Sequence, residues 1–493
     1  MTTNDGKAES LPAIPGISDI ENAAPAVAPA KYVMAIDGIG GSSDVEDHKG
    51  WFDISDFAYS FGRTYDLGKQ ETSNVVDTRF SVMLTDQTAF TALMSLAAKD
   101  ELISAVQIKG LTSADILQTQ TLFGNVLIES IEDDGANGYS VNFLYQQIVS
   151  DVFDPFDTKV LSHTEFDFAL QKNKASITAP TPDFSFDTTA AVQYFLALPG
   201  LAGSSITSGH ERWFNLEDVN FALDASGVLP EMSNVGLRLS EDTEIADIMA
   251  RLVDGKTFAG ATVRGIDGKG NVVYTLDMSN VSIESLSDGG NGGFSLELDA
   301  RQVELSSNGY NSSGVLKANP SFAWDFDTGL SLKSLASAAP GGKTPTTTVA
   351  PEKFYMLVDG MNGGSADPAH QRWFELTDFN FSAFMNGADP DFTTVQAALG
   401  DDRGLTAMIK AATMGSAIKG VYIQGVVDNG GIETKVYELA LTDVRVENVS
   451  DFTGPGYNAD FDFGKFALRT FDAKRMLAYS TFGHPQGERS ERV

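Results

Sequence analysis

One pattern limits what this chain can fold into: a glycine, nine residues, a histidine, two residues, then Trp-Phe, written three times. Gly38, His48, Trp51 and Phe52 form the first copy, Gly200, His210, Trp213 and Phe214 the second, and Gly360, His370, Trp373 and Phe374 the third. The copies start 162 and 160 residues apart, and they hold three of the five histidines and three of the four tryptophans. A repeat of that length is too long for a solenoid unit and normal for a domain. The chain therefore reads as one domain copied three times.

Each copy opens on a short alternating segment: Tyr32, Met34 and Ile36, then Tyr194, Leu196 and Leu198, then Phe354, Met356 and Val358. Alternation with period two predicts a strand. A Gly- and Ser-rich loop follows, and a second strand starts at Trp-Phe. In that strand Phe52 and Ile54 keep step, whereas Phe57 and Tyr59 are out of phase by one. The slip recurs at Leu216 and Val219, and at Leu376 and Phe379. A slip repeated three times predicts a β-bulge at Asp56, Asp218 and Asp378, a device that bends a strand around a barrel.

The next segment of each copy has helical spacing. Phe90, Leu93, Met94 and Ala97 stand at i, i+3, i+4 and i+7, as do Ile245, Ile248, Met249 and Leu252, and Leu405, Met408, Ile409 and Ala412. Asp86, Asp242 and Asp402 stand before these stripes and are expected to cap the helices. A glycine (Gly110, Gly265, Gly425) lies 16 residues beyond the third stripe position in every copy. The remainder alternates as strands joined by Gly-rich turns. The expected fold is mainly β with one helix per domain: three tandem barrels or closed sandwiches.

Composition narrows the function. With 67 acidic and 34 basic residues the formal charge is −33, which disfavours phosphate backbones and anionic membranes as partners. There is no cysteine, so disulfides and Cys-ligated zinc are excluded. No apolar run is long enough to span a bilayer, and the first thirty residues lack the charged start and apolar run of a cleavable leader.

The run from Tyr32 to Gly62, with its strand, terminal glycine, Gly/Ser/Asp loop, histidine and aliphatic–aromatic strand, resembles the N-terminal signature of the haemolysin-coregulated protein (Hcp) family. The single mid-domain helix, the late Gly-rich hairpin and the closing segments Phe184–Asp187 and Phe322–Asp325 are similar to that family as well. The resemblance implies three tandem Hcp-like barrels at 31–190, 191–337 and 353–493, after an N-terminal segment 1–30 and with a linker at 338–352. It implies a self-assembling ring or tube component of a type VI secretion or related contractile injection apparatus. Family members usually form six-membered rings, so two three-domain chains would close a pseudo-hexamer. The partners implied are the chain itself, then sheath, spike or cargo proteins. The protein would be cytoplasmic before assembly and exported without a cleavable leader. Two other readings stay open: an exported surface or matrix protein that binds through the same barrel, and a hydrolase of a carbohydrate-like polymer.

No nucleophile elbow, phosphate loop, zinc-protease motif or nucleotide fingerprint occurs, so no catalytic, cofactor-binding or metal-binding residue is assigned. The residues flanking the repeated histidines differ (Asp47, Gly209, Ala369). Three copies that share shape-determining positions while varying polar ones behave as a building unit. The twelve signature residues are therefore expected to be structural, with the histidines fixed by hydrogen bonds at a loop-to-strand corner and the tryptophans either in the core or at an interface. The turn from Asp288 to Gly293 faintly resembles Gly/Asp calcium repeats and is expected to be a plain hairpin turn.

Overall fold

The computed structural model describes residues 29–66, 71–85, 89–133, 138–154, 159–182, 191–240, 243–289, 293–310, 314–318, 321–341, 350–387, 389–428, 430–451 and 456–471. The first repeat contains β1 (Lys31–Ile36), β2 (Phe52–Asp66), β3 (Glu71–Leu84), α1 (Phe90–Ala98), β4 (Ile103–Leu111), β5 (Leu117–Asp133), β6 (Tyr139–Phe153) and β7 (Val160–Asp167). The second has β8 (Gln193–Ala197), β9 (Phe214–Asp224), β10 (Glu231–Met232), β11 (Val235–Leu239), α2 (Ile245–Val253), β12 (Phe258–Ile266), β13 (Val272–Asp288), β14 (Phe294–Tyr310), β15 (Leu316–Ala318), β16 (Phe322–Asp325) and β17 (Leu330–Ser331). The third has β18 (Lys353–Val358), β19 (Phe374–Asn386), β20 (Asp389–Phe392), β21 (Val395–Leu399), α3 (Leu405–Met414), β22 (Ile418–Asp428), β23 (Glu433–Asp451), β24 (Tyr457–Asp462) and β25 (Lys465–Thr470).

Antiparallel pairing closes each repeat on itself. In the first, β1 pairs β2, β2 pairs β3, β3 pairs β6, β6 pairs β5, β5 pairs β4 and β4 returns to β1. The same cycle runs through β8, β9, β11, β14, β13 and β12, and through β18, β19, β21, β24, β23 and β22. Three closed barrels of one topology result. Closure pairs the strands on both sides around the barrel wall, so that a free edge remains only where a long strand runs past its neighbour.

The phase slip is the predicted bulge, moved by one residue. In β2 the partner register jumps from Ile54 to Asp56, leaving Ser55 as the extra residue. Glu217 and Thr377 are the extra residues of β9 and β19. Each aspartate resumes the ladder directly after the insertion. Phe52, Phe214 and Phe374 are fully buried at the start of these strands, each contributing about 2–3 kcal/mol of burial. The first strand differs from simple alternation: Val33 to Ile36 are all buried, because a strand paired on both edges and covered on both faces loses its polar side.

The glycines beyond the helices have a geometric cause. Gly110, Gly265 and Gly425 pair directly with Tyr32, Tyr194 and Phe354. A Cβ at Gly265 would meet Ala191 Cβ at 2.6 Å and the Tyr194 ring at 2.9 Å, and one at Gly425 would meet Pro351 at 2.7 Å. The incoming segment crosses the strand at those points, and only hydrogen fits.

The helices lie where their stripes predicted, but their caps do not. Ala89, Glu244 and Gly404 occupy the N-cap positions in left-handed backbone, without side-chain caps. Asp402 instead accepts the Gly456 N–H at 2.9 Å and ties the late turn to the helix entry. Asp86 and Asp242 lie outside the described residues, as do Phe184–Asp187. No helix among the described residues is long and apolar enough to cross a membrane. Residues 338–341 run against the second barrel: Ala338 N–H donates to Thr262 Oγ1 at 2.7 Å and Gly341 N–H to the Leu201 carbonyl at 3.0 Å.

Candidate functional site: the repeated corner and the joint between barrels

The signature residues build one corner three times. Gly38, Gly200 and Gly360 turn the chain out of the first strand with φ of +75°, +87° and +79°, where a side chain would be strained. Ser43, Ser205 and Ser365 then donate their N–H to the carbonyls of Trp51, Trp213 and Trp373 at 2.7, 3.0 and 2.9 Å. Each tryptophan N–H returns to the carbonyl of the histidine three residues earlier, at 3.1, 3.3 and 3.0 Å. Within each corner the imidazole meets the indole edge-on, with centroids 4.9, 5.3 and 5.1 Å apart.

Hydrogen bonding does not fix all three histidines. His210 is buried, and neither of its ring nitrogens has a hydrogen-bond partner among the described residues. Stacking on Phe195 at 4.7 Å holds it instead. His48 faces Lys109 Nζ through Nε2 at 3.4 Å, and its Nδ1 is unpartnered. Burial, reinforced by Lys109, lowers the His48 pKa, and burial with Arg264 lowers that of His210. Of the three, only His370 has both ring nitrogens hydrogen-bonded, Nδ1 to Asp367 Oδ1 at 2.7 Å and Nε2 to Gln424 at 3.1 Å, and it stacks on Tyr355 at 4.0 Å.

Sequence reading missed the residue that covers this corner. Lys109, Arg264 and Gln424 each precede the repeated glycine; the lysine and arginine sit over the indoles of Trp51 and Trp213 at 4.7 and 5.0 Å. Its fixed place one residue before the glycine was the available signal. Trp213 is buried in a small cluster with Phe195, Ala197 and Ile266, apart from the main core, whereas Trp51 and Trp373 are partly exposed.

Asp367, His370 and Glu433 bring three ligand-type atoms within 4.8 Å of one another. Lys353 Nζ, at 3.1 Å from Glu433 Oε1, already supplies a cation there, and the Tyr355 hydroxyl donates to the same oxygen at 3.0 Å. Glu433 Oε1 is thus already engaged by Lys353 and Tyr355, and the group reads as a hydrogen-bond network rather than a ligand set. The late hairpin closes tightly where it is described, with Gly289 N–H on the Gly293 carbonyl at 3.2 Å; Gly290, Asn291 and Gly292 lie outside the described residues.

The barrels meet through a second repeated arrangement. Ser130–Asp133 of β5 pair with Asp224–Phe221 of β9. Ser285–Asp288 of β13 pair with Phe384–Phe381 of β19, in the same register relative to the Trp-Phe signature. Ser382 and Ser287 hydroxyls lie 2.9 Å apart across the second joint, and Tyr437 donates to Asp288 Oδ2 at 2.7 Å. The helices follow: α1 packs on β9, β14 and β16 of the second barrel, and α2 on β19, β20 and β25 of the third. Phe90 meets Phe221 with ring centroids 5.8 Å apart.

Residues 33–151 and 355–469 match the family model described as "Type VI secretion system effector, Hcp". Two of the three repeats are thus similar to that family in sequence. The middle repeat has the same closed cycle of strands, so the chain is a mainly β protein with multiple Hcp-like domains and, among the described residues, three short helices. Among solved structures it is similar to a type VI secretion system effector from Yersinia pestis (19% identity, 27% of this chain and 99% of that one, TM-score 0.24). It is also similar to Hcp1 of E. coli EAEC 042 (14%, 27% and 98%, TM-score 0.24) and the secreted protein Hcp3 of Pseudomonas aeruginosa (14%, 27% and 99%, TM-score 0.23). No curated protein matches the chain.

Proposed function

We propose that this chain is a self-assembling structural component of a type VI secretion tube, each molecule supplying three consecutive Hcp barrels of a ring. The observation that carries the reading is the joint used twice in the same register, β5 on β9 and β13 on β19, with a helix seated beside it each time. A heterologous joint that repeats head to tail makes either a ring or an open filament. Six barrels from two chains would close the ring, with barrel boundaries at 31–190, 191–337 and 353–493. The signature glycines, histidines, tryptophans and phenylalanines then serve as corner pieces, and no chemistry is asked of them. Sheath, spike and cargo proteins are the further partners this reading brings, with export through the apparatus itself.

Negative-stain electron microscopy of the purified chain tests it. Rings, singly or stacked end to end, are expected on the grid. Elongated three-bead particles at every concentration would favour a surface protein over a tube.

A further inference from the structure

The joint is made twice inside the chain, and each of its halves is left over once. On β2, Tyr59–Gly62 occupy the positions of Phe221–Asp224 and Phe381–Phe384. They pair with β3 on one edge, and among the described residues no strand pairs with the other. On β23, Asn448–Asp451 stand where Ser130–Asp133 and Ser285–Asp288 stand. They pair with β24 on one edge, and among the described residues no strand pairs with the other.

Burial marks the same two places. Phe221 and Leu223 are 3% and 0% exposed, and Phe381 and Ala383 are 2% and 0%, whereas Tyr59 and Phe61 are 43% and 60% exposed. Met94 and Met249 on α1 and α2 are 1% exposed, while Ile409 at the same place on α3 is 48% exposed and Met414 66%. A monomer rarely leaves such residues clustered in the open without a use for them.

The empty seat has a shape. Helix α2 rests on β19, β20 and β25 of the third barrel, and α1 on β9, β14 and β16 of the second. The corresponding strands of the first barrel are β2, β6 and β7, and they line an open concavity of about 1170 Å³ with Tyr59, Phe61, Ile148, Glu165 and Phe166, completed by Phe168. Aromatic rings floor it: Phe61 lies 5.9 Å from Phe168, and Phe166 lies 4.8 Å from it.

We propose that a second copy of this chain fills both vacant halves. Its Asn448–Asp451 add as a strand to Tyr59–Gly62, pairing Asn448 with Gly62, Val449 with Phe61, Ser450 with Ser60 and Asp451 with Tyr59. Its α3 lies in the aromatic concavity with Ile409 and Met414 against Tyr59, Phe61 and Phe166. The inference rests on the ring reading and adds the partner, the register and the residues of the chain-to-chain junction. It also makes that junction chemically distinct from the two inside the chain, since Tyr59 and Phe61 stand where those have Phe221 with Leu223 and Phe381 with Ala383.

The absence of cysteine allows a clean test. Ser60 and Ser450 correspond to Ser382 and Ser287, whose hydroxyls are 2.9 Å apart, within the range a disulfide spans once the side chains adjust. The variant carrying both Ser60→Cys and Ser450→Cys, mildly oxidised, should run on a non-reducing gel as a covalent two-chain species. Neither single variant should do so. Ile409→Glu, placed at an exposed position, should reduce the particle to single chains without changing the melting temperature of the dilute chain. Rings on the grid without interchain cross-linking, or with an unchanged particle mass in Ile409→Glu, would overturn the junction and leave the tube reading standing. An intrachain disulfide would show that the third barrel closes onto its own first. Single chains in the unmodified protein at all concentrations would remove the ring reading itself.

Discussion

His48 and His210 carry the pH dependence that the corners impose. Burial, then Lys109 and Arg264, lowers their folded pKa values, so the unfolded chain binds protons that the folded corners refuse. Stability is expected to be level above about pH 6.5, the ordinary histidine value, and to fall as pH drops below it until the lowered folded values are passed. His163 works in the opposite sense, since its bond to Asp151 raises its pKa. The informative comparison is therefore between the protein and His210→Gln. Urea midpoints at pH 7.5 and 5.5 should differ less in the variant; an equal difference would place the pH dependence elsewhere. Trp213 separates from its two counterparts in the same way. Buried in its own cluster, it should cost about 3 kcal/mol when replaced by alanine. Trp51 and Trp373, partly exposed, should cost clearly less by chemical denaturation.

Element by element, the structure separates what pattern can predict from what it cannot. Met249→Ala is expected to cost about 3 kcal/mol, because α2 is covered by the third barrel, whereas Ile409→Ala should leave the dilute chain's denaturation midpoint nearly unchanged. The two residues hold the same place in the same stripe. Sequence periodicity reports which face of a helix is apolar; its own barrel covers part of that face, as at Met408, and the next barrel decides whether the rest is covered. The first two strands, the three helices and the bulge were legible because each leaves a local, periodic trace that recurs three times. The bulge fell one residue early, at Ser55, Glu217 and Thr377, since a phase slip marks where alternation resumes rather than which residue is extra. Helix entry was not legible: a left-handed residue at Ala89 or Glu244 leaves no compositional mark, and Asp402 serves the Gly456 turn. Nor was the joint, whose strands touch across about ninety residues through backbone hydrogen bonds that any side chain permits. Within the corner, stacking replaced hydrogen bonding at His210, a choice set by Phe195 on another strand.

At the scale of the molecule, a joint that repeats is worth more than any single contact in it. Two are filled within the chain and one is divided between its ends, so the chain presents one donor and one acceptor surface. In the proposed assembly, with a formal charge of −33 per chain, rings would repel one another most strongly where screening is weak. Stacking into tubes should therefore increase between low salt and about 0.5 M salt, while the ring itself, held by backbone pairing and an apolar helix seat, should persist. Sedimentation across that range would show it; rings that fall apart as salt rises would point to an ionic joint. The most direct test of the account is the mass of the particle in solution. Native mass spectrometry or multi-angle light scattering should give twice the chain mass of 52.7 kDa for the protein and the single-chain mass for Ile409→Glu. A protein that stays at 52.7 kDa at every concentration and salt would contradict it.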